Sequence, residues 1–215
     1  MLKLEGLEAK VNVLEARLQA AEDVEAIKKL QYAYGYYLEH WQEEELIGLF
    51  SHSDDVTIEI NDIGQFKGWN DVRECYRFED HYPEYPGLTK APPEFLHILM
   101  PIAGIVDLNP DGKTAKGRWY GFFLGAQRKK GILRAMIACG IWENEFIKED
   151  GVWKIKKIFW NDIISSPIDE GWVKTPALLN PKHISAREPG ADTNFHMYPS
   201  GYIFPYHYKN PVTGK

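Results

Sequence analysis

The hydrophobic positions at the start of the chain repeat with a helical period. From Leu4 to Ala21, apolar residues recur at alternating steps of three and four, which is the a/d pattern of a heptad repeat. The pattern lasts about three heptads. It predicts a helical arm that either packs on a neighbouring subunit or folds back on its own domain. The apolar period then re-phases, which predicts a second helix with Asp23 as its N-cap, continuing to Trp41.

Further along, the period changes from helical to alternating. Val56, Ile58 and Ile60 alternate with polar residues, which predicts a half-buried strand. Asn70 is the expected N-cap of a helix that ends before Pro83. Four long strands are then predicted over residues 95–108, 114–127, 132–148 and 152–164, with a bulge at the glycine in position 140.

This order of elements predicts an α+β fold. Helices pack on one face of a curved antiparallel sheet, and the two layers form a cone-shaped α+β barrel with a pocket at its mouth. We expect a helical arm over residues 1–22, the cone domain over 23–163 and a C-terminal extension over 164–215. The extension holds 7 of the 13 prolines, 3 of the 7 histidines and many aromatic residues. Since disordered tails are poor in aromatics, it is expected to be ordered as a lid or a subunit clasp.

Composition narrows the class of protein. A net charge of −6 argues against nucleic-acid binding. The two cysteines, Cys75 and Cys139, are far apart and exclude a disulfide scaffold. No run of apolar residues is long enough for a membrane span, and the N-terminus lacks the apolar core of a signal peptide. A cytoplasmic protein is expected.

Several motifs resemble one known family. They are the segment DVEAIKKL at residues 23–30, the strand motif Gly117-Arg118-Trp119, the segment WENE at 142–145 and the segment EDGVWKI at 149–155. Over about residues 20 to 165 the chain resembles the SnoaL-like proteins of the nuclear-transport-factor-2-like superfamily. That fold hosts many chemistries, among them scytalone and bile-acid dehydratases, polyketide cyclases, ketosteroid isomerase, formaldehyde-releasing lyases and non-catalytic binding modules.

The resemblance to the bile-acid dehydratases implies three catalytic residues. The family tyrosine falls on Tyr34, the acid five residues later falls on Glu39, and the histidine of the sheet falls on His97. A second family acid falls on Phe123, so that carboxylate is missing here. The mechanism therefore does not transfer whole, and this wall of the pocket is expected to be more apolar.

The residues themselves support this set and leave alternatives. His97 shares a strand face with Phe95 and Leu99, so it is either a general base in an apolar pocket or a core histidine with one hydrogen bond. Tyr34 faces inward and donates either to substrate or to the backbone. Glu39 is about 140° around the helix from Tyr34, so the two share a pocket edge only if the helix end reaches it.

Residues expected to touch substrate are Trp119, Phe123, Asn161, Tyr37 and His40. His40 also rivals Glu39 as the functional group at the helix end. Arg118 is an anion or carbonyl clamp if it points inward and a surface charge if it points outward. The tail histidines at positions 183, 196 and 207 match no zinc spacing, so neither a metal nor a cofactor is predicted.

Together these features predict a cofactor-independent lyase. A base removes a proton from a hydrophobic, ring-bearing and presumed phenolic small molecule, and water or formaldehyde leaves. An isomerase or cyclase of the same fold and a non-catalytic binding or assembly module are the alternatives. The expected partners are the small-molecule substrate and further copies of the chain, with a trimer favoured over a dimer.

Overall fold

The computed structural model describes residues 2–60, 64–129, 131–174 and 197–215. The predicted histidines at positions 183 and 196 lie outside the described residues. The elements in chain order are α1 (Leu2–Glu39), α2 (Glu43–Ile47), β1 (Thr57–Ile60), β2 (Gly64–Lys67), α3 (Trp69–Cys75), α4 (Phe78–His81), β3 (Leu96–Leu108), β4 (Thr114–Lys129), β5 (Ile132–Glu149) and β6 (Val152–Pro167).

The six strands form one curved, open sheet in the order β2-β1-β6-β5-β4-β3, with the helices packed on it. The α+β fold class is confirmed. All pairings are antiparallel except β1 with β6, which is parallel. The bulge predicted at Gly140 lies on the neighbouring strand instead: Cys139 and Gly140 pair with Ile164 and Asp162, so the extra residue is Ile163 of β6, and Gly140 itself stays in register with Gly121.

Two predicted helix starts are wrong. α1 runs without a break through Asp23, because the change of apolar phase marks a change in what covers the helix rather than an interruption. Asp23 is buried and accepts hydrogen bonds from Lys148 at 2.7 Å and Trp153 at 2.9 Å. The helix predicted to follow Asn70 starts at Trp69 after Gly68, and this predicted single helix is divided into α3 and α4.

The sequence motifs that resemble the SnoaL-like proteins contain the residues that hold α1 on the sheet. Asn144 of β5 donates to the Gln31 side chain of α1 at 2.8 Å and accepts from the Phe159 N–H of β6 at 3.0 Å. Trp153, from the last motif, bonds Asp23, from the first. Before Asp23 the helix leaves the sheet, and residues 6–22 are all exposed. The arm does not fold back on its own domain.

The described end of the C-terminal extension contacts the sheet of its own chain. The Tyr198 N–H donates to the Ile163 carbonyl at 2.8 Å, on the part of β6 that extends beyond its pairing with β1. Arg118 donates to the Pro205 carbonyl at 3.0 Å. Arg118 follows Gly117 and precedes the core residue Trp119 in β4, so alternation puts its side chain on the outer face of the sheet. The lid-or-clasp hypothesis stays a prediction.

Candidate active site

His97 lies on the inner face of the sheet, the face that the helices cover. It pairs in register with Gly125, two residues from Phe123 along β4, and residues two apart share a face. The His97 and Phe123 rings meet edge to face with centroids 4.7 Å apart, and the Phe95 ring lies 6.1 Å away. The structure therefore brings together a predicted catalytic residue and a predicted substrate-binding residue.

The surroundings of His97 keep its ring neutral. The residue is half-buried, and no described residue makes a hydrogen bond to the ring. Burial lowers the pKa of His97 to about 4, because the charged form loses its hydration among aromatic rings. At neutral pH the imidazole is free to accept a proton. The predicted alternative of a core histidine satisfied by one hydrogen bond does not fit this arrangement.

The C-terminal end of α1 is fixed by a Schellman motif. The Gln42 N–H donates to the Tyr37 carbonyl at 3.0 Å, and the Trp41 N–H donates to the Leu38 carbonyl at 3.4 Å. Trp41 occupies the left-handed position with φ of 55°, where glycine is usual. Its ring is buried and stacks on Tyr82, and this packing offsets the backbone strain.

Glu39 is the last residue of α1, and the helix contacts β3 at residues on either side of Glu39. A Cβ at Gly35 would lie 2.7 Å from the Leu99 carbonyl oxygen, and the Trp41 ring meets the Phe95 ring at 5.2 Å. From Gly35 to Trp41 the helix thus runs alongside β3 from Leu99 to Phe95. Glu39 is half-buried and lies between Gly35 and Trp41 along the chain. No contact between its carboxylate and the His97 ring is present among the described residues, and burial alone accounts for the lowered pKa of His97.

Tyr34 has a different partner from either one predicted. Its hydroxyl lies 3.0 Å from the hydroxyl of Tyr76, and both residues are buried. Burial raises the pKa of both phenols. Tyr76 was not predicted as a site residue, since nothing in the spacing of α3 signals a partner for Tyr34 on α1. Tyr82 and Phe95, whose rings are 4.9 Å apart, extend this aromatic cluster towards His97.

The remaining predicted residues are dispersed. Trp119 is 1% exposed and packs edge to face on Phe146, so its ring fills the core. Asn161 is buried, and its amide donates to the main-chain carbonyl of Asp162 at 3.2 Å. Tyr37 is partly buried against the core and His40 is exposed. Their predicted contacts with substrate stay predictions.

Asp162 reaches the inner face although it was not among the predicted catalytic residues. It pairs in register with Gly140, where an added Cβ would lie 2.6 Å from the Trp160 ring. Trp160 in turn lies 4.8 Å from Trp142 of the core, measured between ring centroids. Asp162 is 1% exposed. Its position two residues after Trp160, near the end of the last predicted strand, was the available signal.

Elsewhere, an open cleft of about 340 Å³ lies between β2, β1 and the neighbouring strands. Its lining is charged and polar and contains none of the predicted site residues; it consists of Asp55, Thr57, Gln65, Lys67, Glu145, Lys156 and Lys157. In the part of the chain that the structure describes, no group of three or more His, Cys, Asp or Glu residues is placed to hold a metal ion. No helix among these residues is long and apolar enough to cross a membrane.

Comparison with known families agrees with the architecture. The profile of the SnoaL-like domain matches residues 19–158. This chain belongs to the SnoaL-like family. The match runs from the end of the arm into β6, and the resemblance inferred from the sequence motifs is confirmed. No curated protein matches the sequence.

Solved structures with the same fold include several proteins whose names denote elimination reactions. A scytalone dehydratase-like protein from Novosphingobium aromaticivorans is 16% identical, with a TM-score of 0.56 over 69% of this chain and 89% of its own. A type 2 hexachlorocyclohexane dehydrochlorinase is 18% identical, with a TM-score of 0.58 over 71% and 93%. The type 3 enzyme from Novosphingobium barchaimii is 16% identical, with a TM-score of 0.57 over 71% and 94%. At these identities the likeness establishes the fold of this SnoaL-like domain.

Proposed function

We propose that this SnoaL-like protein is a cofactor-independent lyase that eliminates water or another small group, such as formaldehyde, from a hydrophobic ring-bearing molecule. The observation that carries the proposal is the setting of His97. Its neutral imidazole lies on the inner face of the sheet against Phe123 and makes no hydrogen bond with a described residue. It is thus available to take a proton from a molecule lying on the aromatic wall.

Glu39 supplies what a histidine with a low pKa lacks. A base is most effective when its pKa is near the working pH, and a carboxylate facing the imidazolium raises that pKa. The end of α1 contacts Leu99 through Gly35 and Phe95 through Trp41, and these contacts support Glu39, which lies between Gly35 and Trp41 in the chain, as the carboxylate that approaches His97 when substrate is bound. In the proposed mechanism for loss of water, His97 removes a proton from carbon, Glu39 stabilises the imidazolium, the electron pair left on carbon forms the new double bond, and the departing hydroxide takes the proton from the imidazolium. For loss of formaldehyde, His97 takes the proton of the hydroxymethyl group, the oxygen electron pair forms the carbonyl of formaldehyde, and the electron pair of the broken carbon–carbon bond passes to the ring-bearing fragment, which takes up the proton from the imidazolium.

The aromatic surroundings favour a phenolic substrate. Phe95 and Phe123 flank His97, and flat rings bind between aromatic side chains in offset or edge-to-face geometry. In a phenol, charge that develops during elimination is delocalised into the ring. Relatives of this fold named as a dehydratase and a dehydrochlorinase are consistent with elimination as the reaction class.

The test is a panel of ring-bearing alcohols, hydroxymethyl phenols and chlorides incubated with the purified protein. The products are analysed by mass spectrometry for loss of water, formaldehyde or hydrogen chloride. We expect one of these losses, and we expect His97→Gln to abolish it while His52→Gln, which changes an exposed histidine stacked on Trp69, does not. Conversion without a change in mass identifies an isomerase and contradicts the lyase proposal.

A non-catalytic binding domain is the second candidate. One observation favours it: the hydroxyl of Tyr34, which is predicted to donate to substrate, is already bonded to Tyr76. If the panel compounds bind with unchanged affinity to His97→Gln and none is converted, the binding domain is the better assignment.

A further inference from the structure

The arm of α1 has an apolar stripe that its own domain leaves uncovered. Residues 6–22 are exposed along their whole length, and the large apolar residues on the a/d stripe are 42–70% exposed: Leu4, Leu7, Val11, Leu14 and Leu18. A single helix of this length is marginally stable in water unless its apolar face is covered. We therefore expect another protein surface to cover this apolar stripe.

The spacing of the stripe indicates what that occupant is. Steps of three and four form the seam of a coiled coil, in which each apolar side chain inserts between four residues of a facing helix with the same repeat. Leu4, Val11 and Leu18 take the a positions, and Leu7, Leu14 and Ala21 take the d positions. A flat surface or a strand does not match this period, but a second helical arm does.

The charges beside the seam identify the partner as the same arm in parallel orientation. Lys10 and Arg17 occupy the g positions, whereas Glu15 and Glu22 occupy the e positions five residues later. In a parallel pair, g of one helix faces the following e of the other, so Lys10 meets Glu15 and Arg17 meets Glu22 of the second copy. An antiparallel pair would place g against g and e against e, which sets like charges together.

The anchoring of α1 at the sheet suits this arrangement. Asp23 is held by Lys148 and Trp153 directly after the arm, so the helix leaves every copy of the domain in the same direction. About 30 Å of helix projects beyond that anchor. Parallel arms then keep the domains together at one end of the coiled coil. We propose that residues 4–22 form a parallel, in-register coiled coil with the arms of further copies of this chain.

Two matched substitutions test whether the seam drives association. Leu14 lies on the seam and Val13 lies beside it, yet their exposures in the single chain are 60% and 59%. Sedimentation of the full chain should show that Leu14→Asp weakens self-association about tenfold or more, whereas Val13→Asp leaves it unchanged. Equal effects of the two variants, or none from Leu14→Asp, would overturn the proposal.

A single cysteine tests orientation. In a parallel, in-register pair, residue 7 of one arm faces residue 7 of the other, whereas in an antiparallel pair of the same seam it faces residue 18. Leu7→Cys should therefore oxidise to a disulfide-linked dimer, and adding Leu14→Asp should suppress the link while adding Val13→Asp should not. A mixture of Leu7→Cys and Leu18→Cys chains that links 7 to 18 in preference would contradict the parallel arrangement.

The charge pattern has its own test. Lys10→Glu with Arg17→Glu makes the four facing positions 10, 15, 17 and 22 all acidic, and Glu15→Lys with Glu22→Lys makes the same four positions all basic. Each double variant should dissociate, and an equimolar mixture of the two should associate again. The quadruple variant with both sets of changes should self-associate as the unmodified chain does. Failure of either double variant to weaken association would show that these pairs play no part.

Discussion

The two faces of the sheet carry two histidines in opposite settings. On the inner face, His97 is surrounded by Phe95 and Phe123 and makes no hydrogen bond with a described residue. On the outer face, the side chain of His207 is 6% exposed, with Nδ1 2.8 Å from Glu143 and Nε2 3.5 Å from Asp107. The His97 ring makes no hydrogen bond with a described residue, whereas the His207 ring is hydrogen-bonded to Glu143 through Nδ1.

Arg118 lies beside Glu143 and His207 on the outer face, and these residues form what we call the outer cluster. It forms an ion pair with Glu143, donates to the Pro205 carbonyl and lies 4.6 Å from the centroid of the Tyr206 ring. These groups satisfy one another, so the cluster fastens the C-terminal segment. Arg118 points outward, so the alternative of an inward-facing clamp is wrong, and it is a buried ion-pair partner rather than the surface charge that the outward alternative predicted. A catalytic group is expected instead among polar side chains that lack such partners, such as His97.

The largest expected effect separates the two histidines by turnover. Once a substrate is identified, His97→Gln should lower kcat by about 10²- to 10⁴-fold, the range for loss of a general base. His207→Gln should leave kcat essentially unchanged, because that ring lies on the other face. Steady-state kinetics on both variants measures the contrast. A large loss in His207→Gln with normal His97→Gln would reverse the assignment.

The second-largest expected effect is the loss of stability on removing the Arg118 guanidinium. Arg118→Met should lower the free energy of unfolding by about 3 kcal/mol, because it leaves the half-buried carboxylate of Glu143 without its cation. Urea unfolding measures this, and limited proteolysis should release the segment after residue 197 sooner. Arg134→Met, at an exposed position, is the control. If both variants behave alike, the outer cluster does not fasten the tail.

The inner histidine should also impose a pH dependence on stability. Its folded pKa of about 4 is below the value of about 6.5 for an unfolded chain, so the unfolded state binds more protons between these two pH values. Stability is complete above pH 6.5 and falls as the pH is lowered towards 4, by about 1–3 kcal/mol from this group.

The measurement for this effect is urea unfolding at several pH values in that range. Carboxylates titrate there too, so the contribution of His97 is the difference between the unmodified chain and His97→Phe. That variant should lose less stability on acidification. Parallel curves would show that the His97 ring is hydrated rather than buried among the phenyl rings.

The smallest expected effect concerns the two phenols. Tyr34→Phe or Tyr76→Phe alone leaves one buried hydroxyl without its partner and should cost about 1–3 kcal/mol. The double variant should cost less than the sum of the two, since no unpaired hydroxyl remains. A double-mutant cycle by urea unfolding gives the coupling. Additive losses would mean that the two hydroxyls do not bond.

Local sequence patterns predicted the helices and strands well, but they did not predict the contacts between distant residues that hold these elements together. The strand expected over residues 95–108 is β3 (Leu96–Leu108), because alternation and turn residues act over a few positions. Asp23 was interpreted as an N-cap, which is the usual role of such a residue in isolation. Its actual partners, Lys148 and Trp153, are more than 120 positions away, and no local rule connects them.

The candidate site likewise contains residues that the sequence predicted and residues that only the folded chain shows. His97 and Phe123 were both predicted: alternation put His97 on one strand face with Phe95 and Leu99, and the family resemblance pointed to Phe123, which lies on the same face in the structure. Tyr76 was missed, because its hydroxyl meets Tyr34 only after α3 packs against α1. Asp162 was left out of the catalytic set, because only the register of β6 on Gly140 turns its side chain inward.

The sequence alone determined the family, the order of helices and strands, and the heptad pattern of the arm, because periodicity and short motifs are properties of neighbouring residues. The tertiary structure decided which polar groups are already satisfied. It paired Tyr34 with Tyr76 and Arg118 with the tail, and it put the His97 ring against Phe123 without a hydrogen bond to a described residue. Availability for chemistry depends on every group packed around a side chain, and these come together only in the folded chain.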